Sequence, residues 1–327
     1  MKKILIGGLT IILVISVIIF VSICSSYCQV PGNEKLFSVS NGEDVFVIAK
    51  NLEQQELIKN HLFFEIAVTL KGGLNRLQTG NYYLSQTMSP LVIAAKIMNG
   101  DVAKKTLIIP EGWTIKDIND YLKAENLIKD NEFFDALSKD YSIDFSFLKD
   151  KPDGLNLEGY LFPDTYYLKI TDGSEVLIRK MLGNLDQKLN PDLRSEINRQ
   201  NKTIFEIINM ASLLEKEVLS TADKKIVAGI LWKRIELDML LNIDASLVYG
   251  LDKKISGADT KIDFPYNTYK HKGLPPGPIS NPGLDSILAA IYPETSPYLY
   301  YLSAPNNETI FSKTLEEHNR AVIKYLK

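Results

Sequence analysis

The chain opens MKKILIGGLTIILVISVIIFVSICSSYC, and no other stretch constrains it as strongly. Lys2 and Lys3 precede an uncharged, mostly apolar run from Ile4 to Cys24. That run matches the ~20 residues that cross a bilayer as a helix. The basic flank is expected to stay cytoplasmic, which sends everything after about residue 25 outside. A cleaved signal peptide is the alternative, but the run exceeds an h-region of ~7–15 residues and no A-x-A-like site follows it. A lipid-bearing Cys24 is a third reading, with Ile23 a poor residue before it. The expected organisation is a cytoplasmic N-terminus at 1–3, a transmembrane helix at 4–24 and a linker at 25–36. The expected location is the cytoplasmic membrane, crossed once.

Both cysteines, Cys24 and Cys28, fall at the exit of that run. The remainder therefore offers no thiolate nucleophile and no cysteine zinc site. His61, His271 and His318 lack ligand spacing, so neither a metal nor another cofactor is expected. With 37 basic and 40 acidic residues, the formal net charge is -3. Nothing in that balance suggests nucleic acid.

Beyond the linker, LFSVSNGEDVFVIAKNLEQQELI reads as strand, turn and amphipathic helix. HLFFEIAVTLKGG reads as a helix stopped by two glycines. GNYYLS is a strand, SPLVIAAKIMNG a helix with proline near its start, and KKTLIIPEGWTI a strand leading through a turn to a helix. Strands and short helices interleave without a parallel-sheet rhythm, so the fold class is α+β. Later, Thr203 and Glu206 form a capping-box pattern opening a helix to about Leu219, and a second helix runs from about Ala222 to Glu236. GLPPGPISNPG (273–283) follows. Its prolines fix φ and its glycines open positive φ, so it reads as a shaped wall.

Within NMASLLEKEVLS (209–220), Glu215 follows two leucines. At ~100° per residue, Ile204, Ile208, Ala211, Leu219 and Ala222 fall within about 40° of it. Glu217 points nearly the opposite way, although Met210 and Leu213 make that side apolar too. The arithmetic therefore expects a desolvated carboxyl at Glu215 alone. Desolvation raises a carboxyl pKa, which suits a general acid near neutral pH. A structural glutamate paired with a cation or backbone donors is the other reading.

ASLLEKE (211–217), EGYLFPDTYYL (158–168), NIDASLVYG (242–250), PYNTYKHKGLPPGPISNPG (265–283) and SPYLYYLSAPN…FSKTLEEHNRAVIKYLK (296–327) together resemble the MltG/YceG-like endolytic murein transglycosylases. Their order and spacing also agree with that family. One departure is Asp244-Ala245-Ser246, where the family more often has D-P-T. The resemblance implies a membrane-anchored enzyme acting outside the cytoplasm on peptidoglycan glycan strands, near glycan-polymerising synthases. It implies a LysM-like region at 37–108, matched by position and element order, a connecting region at 109–195 and a mixed α/β catalytic domain at 196–327. It also implies that the first glutamate of ExE, Glu215, is catalytic.

A lytic transglycosylase would cut after N-acetylmuramic acid and leave 1,6-anhydro ends, with Glu215 as its single acid/base. Tyr266, Asn267, Thr268, Tyr269, Ser280, Asn281 and Asp244 are the candidate substrate contacts. Asn267 and Asn281 lead because an amide both donates and accepts. Asp244 also reads as a second carboxylate or a helix cap, His271 as a loop-surface residue, and the EGYLFPDTYYL aromatics as packing. A hydrolytic muramidase and a non-catalytic wall-binding protein are the competing classes.

The topology is checked by fusing alkaline phosphatase after Lys327. Activity is expected, because the enzyme works only outside the cytoplasm, and a silent fusion with an active cytoplasmic reporter would reverse the orientation.

Overall fold

The computed structural model describes residues 13–19, 21–26, 34–73, 75–306 and 308–326. Part of the expected 4–24 span therefore lies outside the described residues. Among the described residues no helix is long and apolar enough to cross a membrane. Residues 13–19 and 21–24 are helical. Leu13, Val14, Ile15, Val17, Ile18 and Val21 are exposed, whereas Ile23 is 2% exposed.

The chain divides into two compact units, Met1–Thr106 with Tyr167–Asp172, and Leu107–Tyr166 with Gly173–Lys327. In the first unit, strand β1 (Lys35–Val39) pairs antiparallel with β2 (Gly80–Leu84), setting Phe37 opposite Tyr82. Alternation along each strand puts Phe37, Val39, Tyr82 and Leu84 on the buried face. Between the strands run α1 (Val45–Gln54) and α2 (His61–Leu70). Asp44 caps α1 by accepting from Val47 N–H, and Asn60 caps α2 from Leu62 N–H. After β2, α3 (Pro90–Met98) starts with proline at its first turn, where no intrahelical donor is lost. Ile48, Leu52, Phe64, Val68, Ile93 and Ile97 close one core with the strand residues.

The second unit is mainly helical. Strands β3 (Lys104–Ile108) and β4 (Thr165–Lys169) pair where the chain leaves the first unit and returns to it. Between them lie α4 (Ile115–Ala124) and α5 (Glu132–Leu137). After them come α6 (Ser174–Lys188), α7 (Pro191–Arg199), α8 (Ile204–Glu217), α9 (Thr221–Glu236), α10 (Asp244–Leu251) and α11 (Leu284–Ile291). An antiparallel hairpin, β5 (Tyr300–Ser303) and β6 (Thr309–Ser312), precedes α12 (Leu315–Leu326).

Helix α8 is the centre of this unit. The Thr203–Glu206 capping box starts it, as its sequence pattern predicts. Every residue from Ile207 to Leu214 is buried, so α8 is a core helix and not a surface one. It packs on α7, α9, α10 and α11. The side chain of Trp232 on α9 donates to Ala290 O at 3.0 Å, fixing α9 to α11.

Gly229 of α9 shows how closely the backbones approach. A Cβ there would stand 2.1 Å from the Glu294 carbonyl oxygen, in a segment held by Glu294 N–H donating to Lys225 O at 2.9 Å. Mid-helix glycine-to-alanine changes ordinarily stabilise by about 1 kcal/mol. At this position overpacking of about 1–3 kcal/mol reverses the sign. Thermal melts should show Gly229→Ala lowering the melting temperature, and a rise would contradict the close approach.

Candidate active site

The polar side chains of α8 organise the proline-rich loop. Ser212 Oγ accepts from Ile279 N–H at 3.0 Å, and Ser212 O accepts from Ser280 Oγ at 3.2 Å. Asn209 Nδ2 donates to Pro275 O at 2.8 Å. A buried carbonyl or N–H is costly unpaired, so these bonds lay residues 275–280 along the helix.

At the end of the loop, Asn281 ties three segments together. Its N–H donates to Trp113 O and its O accepts from Gly112 N–H, both at 2.8 Å. Its Nδ2 donates to Trp113 O at 2.9 Å and to Glu158 Oε1 at 3.0 Å, while Oδ1 accepts from Leu161 N–H at 2.9 Å. Glu158, 4% exposed, also accepts from Ile115 N–H at 3.1 Å and Tyr249 OH at 3.3 Å. Burial pushes its carboxyl up to about 7, against the opposing effect of the donors Ile115 N–H and Tyr249 OH. Gly159 holds φ at +88° and lies under Pro278, where a Cβ would meet the ring at 2.5 Å. Only glycine fits that approach.

These contacts bring Glu111, at the start of EGW (111–113), beside the end of α8. Glu215 Oε2 accepts from Ser286 Oγ at 2.6 Å and from Gly283 N–H at 3.0 Å. Lys224, 3% exposed, reaches both Glu215 oxygens at 3.3 Å and Asp285 Oδ2 at 3.0 Å. The side chains of Glu215 and Asp285 are 10% and 30% exposed. Glu111, Glu215 and Asp285 each offer a carboxylate oxygen within 4.8 Å of the others. Three such oxygens could hold a hard cation, but the Lys224 ammonium already bonds two of the three carboxylates. Burial raises the Glu111 carboxyl, with further contributions from Glu215 and Asp285 and opposition from Lys224.

The surroundings of the two glutamates differ from those expected. Glu215 sits among polar donors and a cation, not in an apolar stripe. At Glu217 burial pushes the carboxyl up to about 7, Asp244 adds to the rise, and Tyr301 OH and Ala245 N–H oppose it. Tyr301 OH donates to Glu217 Oε2 at 2.9 Å. Glu217 opens on a separate cavity of about 560 Å³, lined also by Asp244, Tyr269, Tyr300, Tyr301 and His318.

The other sequence candidates fall into two groups. Asn267, Thr268, Ser280 and Asn281 are buried and engaged within the fold. Asn267 Nδ2 donates to Thr260 O and Ile262 O, and its Oδ1 accepts from Tyr269 N–H. Thr268 Oγ1 accepts from Ile243 N–H at 2.8 Å. Asp244, Tyr266 and Tyr269 reach the surface. Tyr269 OH donates to Asp244 Oδ1 at 2.7 Å, and Tyr266 packs on Tyr249 at 5.2 Å between ring centroids. His271 is on the loop surface, 2.8 Å from Asp263. Tyr160, Phe162 and Tyr166 are core residues. Glu111, Lys224, Asp285 and Ser286 were not among the sequence candidates. The recurrence of Glu-Gly at 111–112 and 158–159, each with a positive-φ glycine, was the available signal for Glu111.

The fold and this cluster define a mixed α/β protein with a carboxylate-centred site at the end of a buried helix. The YceG-like family matches residues 37–324, and the chain belongs to that family. It is 32% identical over 314 residues to a Bacillus subtilis (strain 168) protein named endolytic murein transglycosylase, covering 88% of this chain and 84% of that protein. A protein of the same name from Streptococcus pneumoniae serotype 2 is 31% identical over 338 residues, covering 93% of this chain but 61% of its own length. The crystal structure of a yceG-like protein from Listeria monocytogenes superposes with a TM-score of 0.60 at 33% identity, covering 89% of this chain and all of that one.

The buried Glu158 makes stability pH-dependent. Its folded value near 7 lies above the ordinary 4.5, so the native state keeps a proton that the unfolded chain releases in that window. Stability therefore declines as pH rises from about 4.5 to 7, by about 3 kcal/mol for this group alone. Glu158→Gln should melt like the parent near pH 4 and above it at pH 8, and parallel melting curves across that range would refute the assignment.

Proposed function

We propose that this protein is an endolytic lytic transglycosylase. On this reading it cleaves peptidoglycan glycan strands after N-acetylmuramic acid and leaves 1,6-anhydro-muramic ends. The observation that carries the reading is the placement of Glu215. It lies in the last turn of α8, anchored by Ser286, Gly283 and Lys224 and still 10% exposed. The relatives named endolytic murein transglycosylase support the reaction class.

Glu215 acts as general acid to the glycosidic oxygen while the bond from muramic C1 breaks. It then removes the proton from the C6 hydroxyl of the same sugar as that oxygen bonds to C1. The nucleophile is already part of the substrate, so effective molarity replaces the second carboxylate and water of an inverting glycosidase. Ser286, Gly283 N–H and Lys224 fix the carboxyl in one orientation through both steps. The proline-rich wall keeps water from C1, where it would compete with the C6 hydroxyl. Among the loop candidates, Tyr266, Tyr269 and Asp244 contact sugar. Asn267, Thr268, Ser280 and Asn281 act by shaping the wall.

The protein sits in the cytoplasmic membrane with its enzyme unit outside, near glycan-polymerising synthases. The exposed side chains of Leu13, Val14, Ile15, Val17, Ile18 and Val21 support the anchor. The strand–helix–helix–strand order of the first unit supports a LysM-like, glycan-binding role for it.

Purified glycan strands test the reaction. Each new muramyl end should weigh one water less than a muramidase product and resist borohydride reduction, with long strands shortened first. Reducible muramic ends as the main product would move the protein to the hydrolases. Glu215→Gln should remove cleavage with an unchanged melt, since the amide keeps the shape but carries no transferable proton.

A further inference from the structure

The apolar helix near the N-terminus changes surroundings along its length. Every residue from Leu13 to Ile18 is exposed, whereas Ile19 and Ser22 are half-buried and Ile23 is buried. Ile23 belongs to the core of the first unit, with Phe37, Val39, Phe64, Tyr82 and Ile93, and Ile19 packs against that same core. Positions 19, 22 and 23 share one helical face. The last turn is therefore seated on the unit by that face alone. Val21 and Cys24 lie off it and stay exposed. Ser25 Oγ donates to Val21 O at 2.7 Å, satisfying one of the carbonyls that the helix end leaves open.

Length decides where this turn sits in a bilayer. As a helix, the run from Ile4 to Ile18 would span about 22 Å, short of the ~30 Å of hydrocarbon. Continued to Cys24 it spans about 31 Å. The run is long enough only when the docked turn lies at the edge of the hydrocarbon, and a helix that falls short is drawn in to close the gap. Val21 agrees with that depth, because it is an apolar side chain exposed on the far side of the helix from Ile23. The turn that reaches the membrane surface is thus the turn that the first unit grips. The segment expected as a linker runs from Ile23 to β1, and Ile23 and Phe37 belong to one core. It does not set the distance between helix and unit.

We propose that the membrane helix and the first unit form one rigid body, with the first unit seated in the headgroup layer of the bilayer. This rests on the membrane-anchor reading above. The partner of the unit is the lipid surface: Val21 meets acyl chains, while Ile19 and Ile23 meet protein. A unit on a tether would sample every height its linker allows. A unit holding the helix by Ile23 keeps one height and one orientation to the membrane.

The test uses the full chain in lipid vesicles and reads hydrogen exchange and probe depth. Ile23→Ala keeps the helix apolar but removes the packing. It should speed exchange in β1 and α2 by about tenfold or more, with α8 of the second unit as an unaffected reference. Val21→Ala, in the same turn on the other face, should leave all three unchanged. Equal effects of the two variants on β1 and α2, or none from Ile23→Ala, overturn the grip. For depth, a fluorophore is placed on the exposed Cys24 in a Cys28→Ser background. Lipids carrying a nitroxide near the headgroup should quench it more strongly than aqueous iodide. Quenching by iodide alone means the unit stands clear of the bilayer and overturns the seat. A parent chain that fails to float with the vesicles overturns the anchor reading itself, whereas a floating chain with an inert Ile23→Ala overturns this inference alone.

Discussion

The structure of the second unit depends on α8 having no free side. A helix immersed in apolar neighbours is costly wherever a polar side-chain atom goes unpaired, and of its buried Asn209 and Ser212 only Asn209 Oδ1 lacks a partner among the described residues. Asn209 and Ser212 therefore bind the backbone of the loop at 275–280, which must cross the unit at that height. The prolines of that loop lack N–H groups and leave fewer donors to satisfy against the helix. Helix and loop each supply what the other lacks, and the end of α8 is thereby fixed relative to Gly283, Ser286 and Asp285.

Asn281 extends the same constraint outward. One asparagine side chain and its backbone connect 112–113, Glu158 and Leu161. Glu158 is a buried carboxyl whose donors come from α4, α10 and the loop. Breaking any one of these contacts would loosen several elements at once, because they share acceptors. The segment carrying Glu111 is thus positioned by residues far from it in sequence.

Local signals in the sequence were legible. The Thr203–Glu206 capping box, the strand alternation around Phe37 and Tyr82, and the proline at the start of α3 each follow from a few adjacent residues. The expectation that Glu217 stays solvated failed for a physical reason. It assumed one buried face, whereas α8 is buried all round. It also counted Leu219 and Ala222 as part of the stripe, although the helix ends at Glu217 and both residues are exposed. Lys224, Asp285 and Ser286 escaped notice because their approach to Glu215 is made by tertiary packing of α9 and α11, which no spacing rule encodes. The buried asparagines were read as sugar contacts because a polar loop residue is ambiguous until its hydrogen-bond partners are known.

The two glutamates of EKE, two residues apart, end in opposite electrostatic settings, and the difference bears on which one suits the proposed chemistry. Glu217 is desolvated beside Tyr301, in a place where gaining charge is costly. Glu215 lies where three carboxylates face one ammonium. Glycoside cleavage develops positive charge at C1 and along the ring oxygen bond. A preorganised surplus of negative charge stabilises such a transition state without reorganisation, and only the Glu215 cluster offers one. Lys224 limits that surplus, since without it three carboxylates would repel and disperse. The ammonium that looks opposed to the chemistry is what keeps the carboxylates close enough to perform it.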